Sequence, residues 1–381
     1  MKKLYIIIYL FLPVLSFSQD GNQKADPLQG NYNLGTSSEI LLLWNYSNNG
    51  DTVEQRVVDY FGTAGEFFID PKETIASSGE SGFGGGKHFE IITADFNGDG
   101  LDEVISARQD KDSSLKLVTP DVNKNDLSFD GERILNLGKI LYPNPKYFNS
   151  RKFVLKKGFF DSDPYPEFAL VFWNSEGTIE IRIFDVDSTN LNIKEIDSIA
   201  DELMNPENNN AGIYDFDTGD FDGDLRDEII LVTYNEDAQN VWQMKARIYD
   251  YEMIAGVYQI IPKVNKEDFY TQDNFFDPFH RINSLVVSAG DFTGNTIDEF
   301  IVDFVLYRNG SETYNHLLPA FVTRGLDTIN VNYDNEERIF QTLGRTTLGI
   351  GMVTGDVNND GDDEIVIDGD GRIRIYSADE N

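Results

Sequence analysis

Residues 95–103 read DFNGDGLDE and carry oxygen atoms at alternate positions of a short loop. With the first residue numbered 1, the oxygens belong to the side chains at positions 1, 3, 5 and 9 and to the carbonyl at position 7. These residues are Asp95, Asn97, Asp99, Glu103 and Leu101. Together with water they meet the roughly six to eight oxygen ligands of calcium, and the glycines at positions 4 and 6 allow a tight turn. The pattern predicts a calcium site; the alternative is an acidic turn without metal.

The loop recurs along the chain, which indicates an internal repeat. Copies begin at residues 31, 95, 159, 220, 291 and 356, with spacings of 64, 64, 61, 71 and 65 residues. Each copy is named below by its first residue, so the 220 loop is residues 220–228. The 95, 220 and 356 loops keep an oxygen at every side-chain position and are predicted to bind calcium.

The remaining predicted ligands follow by position, with the main-chain carbonyl used at position 7. In the 220 and 356 loops they are Asp220, Asp222, Asp224, Arg226, Glu228, Asp356, Asn358, Asp360, Asp362 and Glu364. The 291 loop predicts a weaker site from Asp291, Thr293, Asn295 and Glu299. No metal is expected in the 159 loop, which starts with Phe159 and keeps Asp161, Asp163 and Glu167, or in the 31 loop, which offers Asn31, Asn33 and Glu39. In the 220 loop, Leu225 stands where glycine is usual and weakens the prediction of its turn.

The segments around the loops predict β-strands. Runs of five to ten residues rich in Ile, Val, Phe and Tyr are separated by Asn, Asp and Gly, and such runs are typical of strands. About four runs per repeat predict an all-β fold. We expect a β-propeller of six or seven four-stranded blades, with the calcium loops between first and second strands. A Greek-key sandwich array is the alternative, and residues 199–205 alone have a helical pattern.

The acid at position 9 identifies the type of loop. An EF-hand needs its bidentate glutamate at position 12, where this chain has Ser106, Leu231 and Ile367. The pattern D-h-[ND]-x-D-G-x-x-[DE] at this spacing resembles the FG-GAP/VCBS repeat family, which includes integrin α-subunit head domains. The resemblance covers residues 30–381 and implies a calcium-stabilised propeller. It leaves function open, because the family spans adhesins, lectins and parts of polysaccharide-degrading enzymes.

The chain starts with MKKLYIIIYLFLPVLSFSQD, in which two lysines precede a short apolar run. This pattern predicts a signal peptide over residues 1–18 and a secreted, periplasmic or cell-surface protein; a buried N-terminal strand is the alternative. The polar residues 19–29 are expected to complete the last blade, unless the chain is a fragment of a longer protein. The formal net charge of −35 argues against nucleic acid as a partner, and the absence of cysteine excludes disulfides.

Residues that could bind a ligand are concentrated in two further segments. Residues 133–160 hold seven Lys or Arg and no acid, and residues 267–284 are crowded with aromatic side chains, including Phe269. Aromatic side chains beside cations suit sugars and acidic polymers. The predicted ligand surface consists of Lys146, Arg151, Lys152, Phe275 and Phe276. The alternative is that these lysines solvate strand edges and the aromatics pack on the core.

Catalytic motifs are absent from the sequence. The chain has three histidines, no cysteine, and neither a nucleophile elbow nor a phosphate loop. The leading hypothesis is therefore a non-catalytic module that binds carbohydrate or a surface protein. The alternatives are an adhesion module in a surface complex, a polysaccharide lyase, or an accessory subunit of a polysaccharide-degrading system. The lyase would use Tyr270, His280 and Arg281 as base and charge neutraliser.

Overall fold

The computed structural model describes most of the repeat region, with side chains from residue 90 onward. The described ranges are 25–30, 39–46, 52–61, 68–71, 75–76, 89–100, 102–109, 114–122, 129–140, 153–174, 178–201, 213–236, 242–271, 281–307, 313–322, 326–331, 337–342, 351–356, 362–369 and 372–376. All elements of these ranges are β-strands, which confirms the all-β prediction. No helix in the described ranges is long and apolar enough to span a membrane.

The strands form six antiparallel sheets, and three of these precede residue 202. The first sheet contains β1 (Ala25–Gly30), β2 (Glu39–Tyr46), β3 (Thr52–Phe61), β4 (Phe68–Pro71) and β5 (Ile75–Ala76). The second contains β6 (Phe89–Ala94), β7 (Glu103–Gln109), β8 (Ser114–Val122) and β9 (Phe129–Lys139). The third contains β10 (Phe153–Gly158), β11 (Glu167–Trp173), β12 (Ile179–Val186) and β13 (Ile193–Asp201).

Three more sheets follow in the second half of the chain. The fourth contains β14 (Ile213–Gly219), β15 (Glu228–Glu236), β16 (Trp242–Ile254) and β17 (Val257–Thr271). The fifth contains β18 (Arg281–Gly290), β19 (Glu299–Tyr307), β20 (Thr313–Val322), β21 (Ile329–Val331) and β22 (Glu337–Thr342). The sixth contains β23 (Gly351–Gly355), β24 (Glu364–Gly369) and β25 (Arg372–Tyr376).

In each sheet the strands pair in chain order, so each repeat is an antiparallel meander. The exceptions are β5, which pairs with β3, and β22, which pairs with β20. Side-chain burial follows the apolar pattern, since β11 is buried along its whole length and β12 alternates. The second to fourth sheets have the four strands that the repeat predicts, and the described part of the sixth has three.

Two expectations from the sequence are wrong in detail. Residues 25–29 of the segment expected to complete the last blade belong to β1, which pairs with β2 of the first sheet, and residues 19–24 lie outside the described residues. Strand pairing uses main-chain groups and therefore does not require apolar side chains in β1. The helical pattern is also wrong for residues 199–201, which continue strand β13, and residues 202–205 lie outside the described residues.

The chain divides into two compact units, which are residues 1–140, 165–167 and 184–195, and residues 141–164, 168–183 and 196–381. In the first unit, β1 lies next to β6. In the second unit, the first strands of four successive sheets are neighbours in the order β10, β14, β18 and β23. Successive meanders in this unit therefore pack through their first strands.

The core of the second unit lies between successive sheets. One apolar cluster joins the third and fourth sheets and includes Trp173 and Tyr214, whose rings meet edge to face at 5.9 Å. A second joins the fourth and fifth sheets and includes Phe221, Phe269 and Phe300. A third links the fifth and sixth sheets. Phe269 is fully buried and stacks on Phe300 at 5.9 Å, so it belongs to the core and does not contribute to a ligand surface.

Candidate metal loops

Each repeat loop joins the first strand of its sheet to the second, as the sequence predicted. Position 9 is the first residue of the second strand and pairs with the residue just before position 1. The described pairs are Gly30–Glu39, Ala94–Glu103, Gly219–Glu228, Gly290–Glu299 and Gly355–Glu364. The strand register thus fixes the glutamate at the base of the loop.

The phenylalanine at position 2 anchors the loop to the core. Phe96, Phe160, Phe221 and Phe292 are at most 5% exposed. In the 95, 220 and 291 loops the N–H of this residue donates to Oε2 of the position-9 glutamate, at 3.1, 2.9 and 3.1 Å. One oxygen of each glutamate is therefore held by the main chain, and the other, Oε1, is available to the loop.

The backbone turns of three loops are alike. Positions 4 and 6 both have left-handed φ, which favours glycine. Position 4 is Gly98, Gly223 and Gly294, and position 6 is Gly100, Leu225 and Thr296, with φ between 65° and 85° throughout. The 220 loop therefore keeps its turn without the usual glycine, although leucine at φ 71° is strained.

The 220 loop contains three clustered aspartates and a buried glutamate with one unpaired oxygen among the described residues. The carboxylate of Asp220 accepts hydrogen bonds from the N–H groups of residues 223–225 at 2.7–3.0 Å. Ligand atoms of Asp220, Asp222 and Asp224 lie within 4.8 Å of one another. Glu228 is 1% exposed, and its Oε1 has no hydrogen-bond partner among the described residues.

The electrostatics of Glu228 show what this loop lacks. Burial, followed by the nearby charges of Asp222 and Asp250, raises the pKa of Glu228 to about 10. Burying a carboxylate without a compensating partner is costly. A divalent cation held by the three aspartates would supply that partner, so the residues of the 220 loop fit a calcium ion.

The 291 loop satisfies the same glutamate without a cation. The hydroxyl of Thr293 donates to Glu299 Oε1 at 2.9 Å, and the amide of Asn295 donates to it at 3.2 Å. These two residues stand where the 220 loop has Asp222 and Asp224. The substitution replaces two negative acceptors with two donors, and this loop is closed by its own side chains.

The 95 loop is intermediate between these two. The Asn97 amide donates to Glu103 Oε1 at 2.7 Å, and Asp95 accepts from the N–H groups of Asp99 and Gly100. Burial, with the charges of Asp99 and Asp95, raises the pKa of Glu103 to about 8. Leu101 lies outside the described residues.

The other three loops are only partly described. In the 31 loop, Asn31 and Asn33 lie outside the described residues. In the 356 loop, Asn358 and Asp360 lie outside the described residues, while Glu364 is 2% exposed. In the 159 loop, ligand atoms of Asp161, Asp163 and Glu167 lie within 4.8 Å of one another, although Phe159 occupies position 1.

Position 8 has a function that sequence reasoning missed. Asp298 donates its N–H to the carbonyl of Asp220 and accepts the Asp220 N–H on its side chain, both at 2.9 Å. The same two hydrogen bonds join Asp363 to Asp291 and Asp227 to Phe159. In each of these repeats, the aspartate at position 8 therefore fixes the main chain of the position-1 residue in the preceding loop. In the 220 and 291 loops, that position-1 residue is the first predicted metal ligand.

The residue before position 1 makes room for this contact. A Cβ built on Gly219 or Gly290 would lie 2.6 Å from the carboxylate of Asp298 or Asp363, and one on Gly158 would lie 3.1 Å from that of Asp227. The sequence carries the same signal. Where the next repeat has Asp at position 8, the residue before the loop is glycine. Where the next repeat has Pro166 at position 8, the residue before the loop is Ala94.

The predicted ligand surface is outside the part of the chain that can be described. Lys146, Arg151, Lys152, Phe275, Phe276 and His280 all fall there. The described part of residues 133–160, the segment with seven Lys or Arg, is divided between two strands. Residues 133–139 belong to β9 and residues 153–158 to β10. One of its cations, Lys156, forms an ion pair with Asp217 at 3.0 Å. Tyr270 lies in β17, where it pairs with Met244, and Arg281 begins β18.

Comparison with known proteins adds little. No family model matches the chain, and no curated protein matches it. Similar solved structures include AofleA from Arthrobotrys oligospora, with 11% identity over 95% of this chain and 92% of that one and a TM-score of 0.47. The GH93 α-L-arabinofuranosidase of Fusarium graminearum has 10% identity over 77% of each chain and a TM-score of 0.44. Drosophila Semaphorin 1a has 8% identity over 94% and 86% and a TM-score of 0.36. TM-scores this low support no argument about function.

Proposed function

We propose that this chain is an exported, calcium-stabilised β-propeller that acts as a non-catalytic binding or adhesion module for carbohydrate or a surface protein. The observation that carries the calcium assignment is the buried Oε1 of Glu228, which has no hydrogen-bond partner among the described residues, in the same loop as the clustered carboxylates of Asp220, Asp222 and Asp224. The position-9 acid in the register of the FG-GAP/VCBS-like pattern supports the same assignment.

The propeller is supported by the meander topology and by the succession of neighbouring first strands β10, β14, β18 and β23. Radial repetition of such sheets is the arrangement that defines propellers. Export is supported by the signal-peptide pattern at residues 1–18. A calcium ion would restrain loops that no disulfide can restrain.

Among the loops, we rank calcium affinity by how the position-9 glutamate is satisfied. The 220 loop binds most tightly because Glu228 Oε1 is free. The 95 loop binds more weakly because the ion must displace the Asn97 amide. The 291 loop stays metal-free because Thr293 and Asn295 already close it.

Calorimetric calcium titration of single variants tests this ranking. Glu228→Gln is expected to abolish the tightest binding event, since it removes the carboxylate that the cation would neutralise. Glu299→Gln is the matched control, because it makes the same change in the loop that we expect to be metal-free. Unchanged tight binding in Glu228→Gln, or its loss in Glu299→Gln, would contradict the proposal.

The binding role needs a separate experiment. A glycan array that includes acidic polysaccharides is expected to show retention without cleavage if the predicted surface at Lys146, Arg151 and Lys152 binds sugar. Appearance of unsaturated products by ultraviolet absorbance would instead favour the lyase alternative, with Tyr270, His280 and Arg281 as its candidates.

A further inference from the structure

The β16–β17 hairpin extends beyond the rest of the fourth sheet. Pairing between β15 and β16 ends at Ile229–Tyr249, whereas β16 and β17 remain paired to Ile254–Val257. The hairpin closes at Ala255 and Gly256, both with left-handed φ. The hairpin tip lies at the same end of the sheet as the 220 loop. In the antiparallel meander, β14 and β16 run in the same direction, and the 220 loop follows β14 as the hairpin turn follows β16.

The projecting hairpin and the two loops next to it expose large apolar side chains. Met253 is 58% exposed, Ile254 43% and Val257 60%. In the adjoining loops, Leu225 is 85% exposed and Phe159 46%. We name these five residues the hairpin platform. They are five of the eight large apolar side chains found exposed in the described residues, and all five lie on the hairpin or on the two loops that contact it. Ile254 and Val257 share one face of the hairpin, and Met253 lies on the other face with Tyr258.

Direct contacts connect the three segments. Arg226, which follows Leu225, donates to the Tyr251 carbonyl at 3.3 Å. Tyr251 stacks on Tyr258 with ring centroids 5.1 Å apart. The Tyr258 hydroxyl is 3.4 Å from Ser162 Oγ of the 159 loop. The platform is therefore built on fixed neighbours in one unit of the chain.

Leu225 makes no evident contribution to the stability of the folded chain. Its position in the loop requires a left-handed residue, and Gly100 fills it in the 95 loop. Leucine adds backbone strain there and also places a large apolar side chain in water. Burial of that side chain against a partner would explain why it is 85% exposed in the isolated chain, since exposed apolar clusters rimmed by polar groups mark interaction sites.

We propose that the hairpin platform docks a segment of a partner protein in which Lys or Arg side chains flank apolar ones. This inference rests on the binding role proposed above, and it names a surface and a class of partner for it. The supporting observation is charge. Acidic residues of the hairpin and of the two adjoining loops include Asp161, Asp163, Asp222, Asp224, Asp250 and Glu252.

The basic residues around the platform do not reverse this charge. Arg226 pairs with Asp224, and Lys263 pairs with Asp250 at 3.3 Å and with Glu252. These six acids outnumber the two bases, so the rim is acidic, and a calcium ion in the 220 loop would reduce its negative charge without reversing it. An apolar centre with an acidic rim complements a basic, apolar peptide. It disfavours anionic glycans, anionic lipid surfaces and a second copy of this chain, whose net charge is −35.

Selection from a phage-displayed random peptide library on the full chain with calcium tests the proposal. Enriched peptides are expected to combine Lys or Arg with aromatic or aliphatic residues. Their affinity, measured by fluorescence anisotropy, should fall about tenfold or more in Leu225→Gly and in Val257→Ser, and should fall with added salt. Leu225→Gly tests binding without harming the turn, because glycine suits its backbone.

The matched control is Ile134→Gln, which removes another exposed apolar side chain, 51% exposed, from strand β9 of the second sheet. It should leave peptide affinity unchanged. Enrichment of acidic or purely polar peptides, no enrichment, or equal affinity in Leu225→Gly would overturn the proposal. So would self-association or anionic-vesicle binding that Leu225→Gly abolishes. Calcium calorimetry on the same samples separates this failure from failure of the calcium assignment.

Discussion

The glutamates at position 9 occupy equivalent positions in the fold but differ in their electrostatic surroundings. Glu228 and Glu299 occupy the same register, and each receives a main-chain N–H on Oε2. The neighbours at positions 3 and 5 decide whether Oε1 is satisfied by protein donors or left for a cation. The sequence identified both glutamates. It did not reveal this difference, which depends on hydrogen bonds that only the folded loop defines.

Asp303 is a buried acid that lies outside the loops. It is 0% exposed in the middle of β19, and neither carboxyl oxygen has a hydrogen-bond partner within the described ranges. Burial raises the pKa of Asp303 from 3.8 to about 8. The folded chain therefore keeps a proton that the unfolded chain loses, so this residue lowers stability as pH rises from about 4 to 8.

Replacement by asparagine tests this pH dependence. Asp303→Asn keeps the size and removes the ionisation, so its stability relative to the native chain should increase by about 1.4 kcal/mol per pH unit between pH 5 and pH 8. Urea unfolding of both proteins across this range measures the difference, and subtraction removes the contributions of other acids. A difference that does not change with pH would contradict the raised pKa.

At the scale of elements, the recurrence of the loop predicted its place between the first and second strands. It did not predict the role of position 8. The Asp298 side chain reaches the main chain of the preceding repeat, and that contact depends on how neighbouring sheets pack. The pairing of glycine with aspartate, and of Ala94 with Pro166, was visible in the sequence, but it acquires meaning only once the contact is known.

Glycine-to-alanine substitutions measure the value of this contact. Gly219→Ala places a methyl group 2.6 Å from the Asp298 carboxylate and should destabilise the chain by about 1–3 kcal/mol through overpacking. Gly290→Ala should do the same against Asp363. Gly355→Ala is the control, because a Cβ there meets no described atom within 4 Å. Equal melting temperatures for Gly219→Ala and Gly355→Ala would show that the contact can relax.

At the scale of the whole molecule, charge and loops act together. The chain carries a formal net charge of −35, and like charges at this density oppose the compact state. Calcium ions in the predicted loops would offset part of this repulsion. The hairpin platform could not be predicted from the sequence, because its apolar residues come from three segments that only the fold brings together.

Two mechanisms of cation stabilisation can be distinguished by melting temperature. General screening depends on ionic strength alone, whereas loop binding needs oxygen ligands arranged for a particular ion. We expect calcium at millimolar concentration to raise the melting temperature of chelator-treated protein by several degrees. Sodium chloride at equal ionic strength should have a much smaller effect, and magnesium an intermediate one, because magnesium demands a smaller octahedral shell and gives up water reluctantly.

Equal effects of all three salts would assign the stabilisation to screening and would show that the loops do not contribute to it. A calcium effect that survives in Glu299→Gln and is lost in Glu228→Gln would locate it in the 220 loop.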